Sequence, residues 1–465
     1  MENGPGLCQE RAAMTRIACK FGGTSVASSA QIRKVRAIVD EDSRRKVVVV
    51  SAPGKRDPKE AKITDLLYLC ANMAQKGVDF SEPFGVVRER FVEIERELEV
   101  DAGIGGELDA FAGELSGGVT ADYIASRGEY WNGLIIAKFF GAVFVDPMEC
   151  VLIGASGSID PKSYELLGAK LAGDSQRYVL PGFYGRGPDG NVKTFSRGGS
   201  DISGAIAARA IEAVVYENWT DVSGLLMTDP RIVKNPRPLR EVTYRELREL
   251  SYMGASVMHD EATLPVREAG IPINIRNTNE PSHPGTTIVP QLSSDAKGTP
   301  AVAGIAGKKS FSMVCIEKTL MNKEVGFAHR LLGVFQRRGI SVEHCPSSID
   351  GINVVVEQSA LGSQAEEVLE EIRRNLLPDR ISLVSDLALI AVVGEGMSHS
   401  IGVAARVFTS LAKAQVNVRV INQGASEVNI IVGVAPEDFE RAVQTLYEEL
   451  LSSAQRSWAP PALGD

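Results

Sequence analysis

Two glycine-bearing segments have residue types that could bind an anion. The first is Lys20-Phe21-Gly22-Gly23-Thr24-Ser25. Its glycines let backbone N–H groups approach phosphate oxygens with no Cβ in the way, and the following helix offers its N-terminus. Lys20 adds a point charge at a strand end. A plain strand–turn–helix with a solvated lysine fits the same residues. The second is Ser196-Arg197-Gly198-Gly199-Ser200-Asp201, just before a helix expected over residues 202–211. The Arg197 fork suits a carboxylate. The same stretch also reads as a capped helix with Ser200 or Asp201 as N-cap, and the two readings are compatible. A third segment, Asn218 to Gly224 followed by Thr228-Asp229-Pro230-Arg231, is turn-rich and follows a strand. Ser51 and Thr64 come after the strand at Val47 to Val50. Glu129 is expected near the start of the helix with Trp131, Leu134 and Ile135, as a partner of the helix dipole.

Other chemistries lack their signatures. There is no GxxxxGK[ST]. The single GxGxxG, at Gly185, Gly187 and Gly190, contains the turn signal Pro188-Asp189-Gly190 and leads into a strand-like stretch, Asn191 to Phe195. A dinucleotide fingerprint needs a helix there. The six cysteines form no CxxC pair and read as reduced thiols of a cytosolic protein, with no protein metal site. The five histidines are scattered and none is given a role.

These loops need a scaffold that gathers strand ends. Ile17 to Phe21 reads as a strand, the stretch with Ile32, Val35, Ile38 and Val39 as a helix, and Val47 to Val50 as a buried strand. That is one βαβ unit. Further strands are expected at Ala142 to Val145, Arg177 to Leu180, Ala213 to Tyr216 and Ile271 to Ile275. Such alternation implies a mostly parallel sheet covered on both faces, whose ligands collect at the carboxyl ends of the strands.

Composition sets the outer bounds. The chain has 465 residues, 44 % hydrophobic and 23 % charged, with a net charge of −9. That suits a globular enzyme of about three domains and argues against broad nucleic-acid binding. No apolar run reaches a membrane span; the best, Leu134 to Val145, is short and carries Lys138. Met1 to Arg16 has no apolar signal core, and Met14 offers an alternative start, so a cytoplasmic location is expected.

Pro290 to Pro300 is polar and turn-rich, the expected linker. Beyond it the pattern repeats. Ile340-Ser341-Val342 matches Val416-Asn417-Val418, and residues 352–356 match 428–432, both at the same offset. Each copy ends in an amphipathic helix, with Val368, Ile372 and Leu376 in one and Phe439, Val443, Leu446 and Leu450 in the other. Two βαββαβ modules are expected.

With four motifs in order, the chain resembles the aspartate kinases of the amino-acid-kinase superfamily. Lys20 to Val26 resembles their opening motif, and Ser196 to Asp201 their Arg-Gly-Gly-Ser-Asp segment. Trp219 to Val222 with Thr228 to Arg231 resembles their nucleotide loop. Ile421 to Ile430 resembles the signature of their ACT domains. The resemblance runs from about Arg16 to Leu451. It implies an α/β three-layer sandwich with a mostly parallel central sheet at 14–297, then ACT-like modules at 303–385 and 386–452, with a strand from 303–316 open to sharing. It implies ATP- and Mg²⁺-dependent phosphorylation of the L-aspartate side chain, the step that commits carbon to lysine, threonine and methionine.

By the same resemblance, Lys20 and Asp201 are catalytic. Lys20, Gly22, Gly23, Thr220, Asp221 and Arg231 serve ATP. Ser51, Thr64, Glu129, Arg197, Gly199 and Ser200 serve aspartate. Many relatives carry Gly-Ala-Lys-Val-Leu-His-Pro where this chain has residues 254–260, so an ATP-side lysine is Ser256 here. Ser223 replaces a common Asp, and Leu226 stands where some relatives have Tyr. Kinases of other acceptors (glutamate, acetylglutamate, UMP) and a silent amino-acid sensor are the competing classes. The paired modules and the intact Lys20, Arg197 and Asp201 argue against them. A fused homoserine dehydrogenase is not expected after Leu451.

For regulation, the resemblance implies pairing of ACT modules across subunits, hence a homodimer through 303–452. It places an effector at Met321 to Phe327 with Ser341, Val342 and Glu343. Amides near Met321 would take the ligand carboxylate. The Glu343 carboxylate favours lysine over threonine; a solvated Glu at a strand end is the plainer alternative.

Overall fold

The valines Val47 to Val50 are all buried, as a central parallel strand covered on both faces requires. The structure is a computed structural model; it describes residues 16–292 and 301–452, apart from 116, 174, 196, 197, 255–257 and 259. Ser196, Arg197, Ser256 and most of the linker therefore lie outside the described residues. The chain forms two compact units. The first holds residues up to Leu225 with Arg240–Tyr244 and Val257–Leu292. The second holds Leu226–Leu239, Arg245–Ser256 and the chain from Ser293 onward.

In the first unit, eight strands of the described residues form one sheet. Its order is Glu241–Thr243, Thr286–Val289, Ile273–Asn277, Val215–Thr220, Ile17–Phe21, Arg45–Val50, Tyr178–Pro181, Val143–Phe144. The five strands from Ile273–Asn277 to Tyr178–Pro181 run parallel, so Phe21, Val50, Thr220 and Asn277 all end at one edge. Side chains alternate across a strand. Ile17, Cys19 and Phe21 enter a core with the helices Ser29–Glu41, Ile63–Gln75, Ser81–Glu97, Ile104–Leu115 and Ala121–Phe140. Ala18 and Lys20 point to the other face, where the helix Gly199–Ala210 packs. The result is the expected three-layer α/β sandwich.

The GxGxxG stretch is a hairpin: Tyr184–Arg186 pairs with Val192–Thr194, and Gly190 holds φ +82° in the turn. Two sequence expectations change. Glu129 is not in a first turn. Its helix begins at Ala121, capped by the Thr120 side chain, so Glu129 lies mid-helix. Nor is Ser200 or Asp201 an N-cap. Gly198, with φ 60°, ψ 21°, turns the chain so that the helix starts at Gly199, leaving both in its first turn.

In the second unit, five strands form one sheet in the order Gly351–Glu357, Gly304–Glu317, Arg380–Val393, Asn429–Val434, Val420–Asn422, antiparallel throughout. Two of these strands have 14 residues each and pass through both modules. Residues 311–317 pair with Gly351–Glu357 and 380–387, while 304–308 pair with 389–393. Between those stretches the register shifts, and Ser310 and Asp386 take positive φ on facing strands. Module one thus comprises 311–387 with the helices Phe327–Arg337 and Ala365–Leu376. Module two comprises 387–447 with the helices Val403–Lys413 and Phe439–Tyr447, and its last strand, 304–308, comes from before module one.

Candidate active site

Register builds the site. Lys20 pairs with Asn218 on the neighbouring parallel strand, so both side chains leave the same face near the carboxyl edge. The helix Gly199–Ala210 covers that face and brings Asp201 down in its first turn. Lys20 Nζ stands 2.6 Å from Asp201 Oδ1 and 3.5 Å from Asn218 Oδ1. Asn218 Nδ2 donates to the same Asp201 oxygen at 3.0 Å, and the Tyr216 hydroxyl donates to the Asp201 carbonyl at 3.1 Å. Lys20 is 8 % exposed, so its charge acts where water screens poorly. In the sequence Asn218 appears only as the start of the turn-rich third segment and Tyr216 only as a strand end, neither with this role. The signal was strand adjacency, which a single chain does not spell out.

The glycine turn lies beside this lysine. Gly22 N–H donates to Trp219 O, fixing the turn between neighbouring strand ends. A Cβ on Gly22 would stand 3.4 Å from Lys20 Nζ, so glycine leaves the space beside that ammonium open. Gly23 backs onto Gly54, whose N–H donates to Gly23 O at 2.9 Å. The turn enters a short 3₁₀ helix, Gly23–Val26, before the α-helix begins at Ser29. The long helix therefore does not start at the glycines as expected; Ser28 caps it, and the amides nearest Lys20 are those of the turn.

The residues expected on the nucleotide side belong to both units, Thr220 and Asp221 to the first and Arg231 to the second. Thr220 ends its strand and its hydroxyl donates to Asp221 at 3.2 Å. Thr220 O accepts from Thr278 N, and the Thr278 hydroxyl meets Ser25 Oγ at 2.8 Å, joining three strand ends. Arg231 belongs to the second unit. There its guanidinium forks onto Asp229, with its side chain 86 % exposed.

Of the residues expected on the aspartate side, Glu129 meets the chain just after Ser51, at Ala52. Ser51 follows its strand directly; its N–H donates to Phe21 O and its O accepts from Asn132 Nδ2 at 2.7 Å. Thr64 is half-buried in the first turn of Ile63–Gln75. Gly199 packs against Phe183 and Ser200 against Gly182, and a Cβ on either glycine would clash. Glu129 is buried, and its Oε2 has no hydrogen-bond partner. Burial pushes its carboxyl up to about 8, only partly offset by the donated Ala52 N–H. A buried carboxyl with an unfilled oxygen is costly unless something pairs with it.

In the second unit, Met321 and Phe327 have their side chains in the module-one core. Their N–H groups are already bonded, to Lys318 O and Glu324 O. Ser341 is exposed and Val342 half-buried. Glu343 accepts a hydrogen bond from the Tyr252 hydroxyl. Nothing in the sequence marked Tyr252 as its partner.

A parallel sheet with a buried lysine beside a glycine turn at its carboxyl edge, followed by ACT-type modules, defines an enzyme class. Residues 15–277 match the model of the amino acid kinase family and 390–450 that of the ACT domain. The chain is 40 % identical over 449 residues to aspartokinase 3 of Bacillus subtilis (strain 168), covering 93 % of this chain and 98 % of that one. The crystal structure of Clostridium acetobutylicum aspartate kinase superposes with a TM-score of 0.86 at 46 % identity, covering 94 % of this chain and all of that one. E. coli aspartokinase III, with aspartate and ADP (R-state), gives a TM-score of 0.71 at 26 % identity, covering 94 % and 99 % of the two chains. With lysine and aspartate (T-state), the same enzyme gives 0.73. This chain belongs to the amino acid kinase family and, within it, to the aspartate kinases.

Proposed function

We propose that the chain transfers the γ-phosphoryl group of ATP to the side-chain carboxylate of L-aspartate, giving 4-phospho-L-aspartate and ADP. The observation that carries this is Lys20, held by Asp201 and Asn218 beside Gly22 and Gly23 at the carboxyl edge of the sheet. The E. coli complex with aspartate and ADP supports the substrate pair.

The acceptor carboxylate has a reference pKa of about 3.9, so it is ionised at neutral pH and needs no general base. The barrier is the approach of one anion to another, so catalysis is positioning and charge neutralisation. Lys20 and the turn amides meet the phosphoryl oxygens; Asp201 and Asn218 keep Lys20 aimed. Thr220, Asp221 and Arg231 hold the nucleotide. Arg197 forks onto the α-carboxylate, Glu129 takes the α-ammonium, and Ser51, Thr64, Gly199 and Ser200 line the acceptor side. Among the described residues no group of three or more His, Cys, Asp or Glu could hold a metal. Mg²⁺ would arrive on the nucleotide's phosphate oxygens rather than in a cage of protein ligands. When bound there, Mg²⁺ neutralises phosphate charge.

This step opens lysine, threonine and methionine synthesis, in the cytoplasm. An end-product amino acid feeds back on it, with lysine favoured because of Glu343. The lysine-bound T-state of the E. coli enzyme supports that choice. Exposed Leu320, Val325 and Ile349 on module one suit a homodimer through residues 303–452. A coupled ADP-release assay tests the reading. Turnover is expected with L-aspartate; turnover only with glutamate, acetylglutamate or UMP overturns it.

A further inference from the structure

The chain after Ser51 does not run straight into the next helix. Residues 52–62 fold back over the helix Ser81–Glu97, and one side chain of that helix gathers them. Arg90 is 6 % exposed. Its Nη1 lies 3.3 Å from Ala27 O and 3.2 Å from Gly54 O, and its Nη2 lies 2.7 Å from Glu60 Oε2. Ala27 ends the turn that begins at Gly22-Gly23; Gly54 and Glu60 belong to the chain after Ser51. One guanidinium therefore bridges the donor-side and acceptor-side segments.

The bridge is reinforced at both ends. Gly54 N–H donates to Gly23 O, and a Cβ on Gly54 would stand 2.5 Å from the Gly23 carbonyl carbon. The two backbones touch, so their separation is fixed. Glu60 also accepts from Arg56 N at 2.7 Å and Arg56 Nε at 2.9 Å, while Arg56 reaches Glu93 at 2.8 Å. Burial alone would raise the Glu60 carboxyl; the Arg56 amide and guanidinium and Arg90 outweigh it and hold it down at about 2. The clamp is thus charged across the working pH range.

We propose that Arg90 is a positioning residue that ties the Gly22–Ala27 turn to the 52–62 segment, fixing the distance between phosphoryl donor and acceptor. Only a planar fork can serve two carbonyls and a carboxylate from one buried position; an ammonium has neither the reach nor the geometry. The assignment rests on the reading that these segments face ATP and aspartate. A mere structural role would lower stability and leave turnover of the folded enzyme intact. A positioning role lowers turnover of folded enzyme, because small misplacements of reacting groups cost up to about 100-fold.

The test compares wild type, Arg90→Met, Arg90→Lys, Glu60→Gln and Arg90→Met/Glu60→Gln in the full chain, with circular dichroism and melting curves beside steady-state kinetics. Arg90→Met is expected to lower kcat about 10- to 100-fold and raise the aspartate KM. Arg90→Lys should recover little of kcat, and the double variant should be little worse than Arg90→Met. If Arg90→Met does not fold, Arg90→Lys and Glu60→Gln carry the same comparison. Folded variants with kcat and both KM values within twofold of wild type overturn the proposal, as does a deficit equal to the unfolded fraction. If wild type turns over only a different acceptor, the aspartate reading fails. The kcat comparison on that acceptor still decides Arg90.

Discussion

Tyr252 donates its hydroxyl hydrogen to the Glu343 carboxylate. Glu343 is the acidic group assigned to a cationic effector, and in this structure it already has a partner. The donor sits at the end of the helix Tyr244–Tyr252, which starts in the first unit at Tyr244 and continues in the second. On the proposed effector assignment, an effector ammonium and the Tyr252 hydroxyl would compete for one carboxylate.

That competition has a measurable sign. Glu343→Ala should relieve lysine inhibition and leave basal activity intact. Tyr252→Phe should lower the lysine concentration for half-inhibition by about 2- to 12-fold, since a typical intramolecular hydrogen bond nets about 0.5–1.5 kcal/mol. Dose–response curves for lysine and threonine check both. Wild type inhibited by threonine alone would remove the effector assignment and leave the kinase reading standing.

Lys20→Ala should lower kcat by roughly two to three orders of magnitude, the usual loss on removing one preorganised charge. Asp201→Asn should leave Lys20 in place but less well aimed, with a smaller loss. Steady-state rates on folded protein decide; a Lys20→Ala enzyme within a few-fold of wild type refutes the central role.

Arg197→Lys should raise the aspartate KM, because a point charge cannot reproduce the fork. The ATP KM should move much less. Equal weakening of both substrates would place Arg197 elsewhere.

Glu129 ties pH to both binding and stability. Its carboxyl titrates near 8 because of burial. Below that pH it is largely protonated and meets an ammonium poorly, so the aspartate KM should fall as pH rises from 7 toward 8. For folding the sign is opposite. The folded value lies above the unfolded one, so the contribution is complete below the unfolded value and is lost as pH rises through about 8. Glu129→Gln should flatten the melting temperature between pH 6 and 8.5 and abolish the pH dependence of KM. Melting curves and KM profiles over that range check the pair.

The parallel strands were legible because Ile17 to Phe21 and Val47 to Val50 are short apolar runs between turn signals. The long helix before Glu129 was read too short. Its first turns carry Asp122, Ser126, Arg127 and Gly128, which look like loop, yet Gly128 is there because Ala52 Cβ would stand 2.8 Å from any Cβ. Tertiary packing outweighed local propensity. The start of Gly199–Ala210 was misplaced because only the left-handed Gly198, not a polar cap, sets it. Arg90 and the part played by Asn218 stayed hidden for a third reason: their meaning depends on which strand or loop lies beside them.

The strand at 304–308 has a consequence for how the regulatory part is inherited and cut. The chain lays down one strand of module two, leaves to build all of module one, then returns to finish module two. Module one is a parenthesis inside its neighbour. A fragment starting at 386 would lack its closing strand and leave residues 389–393 as a bare edge, open to pairing with another copy. One nick between the modules would cut only one of the two strands that cross between them, 304–317 or 380–393, and the other would still join the halves.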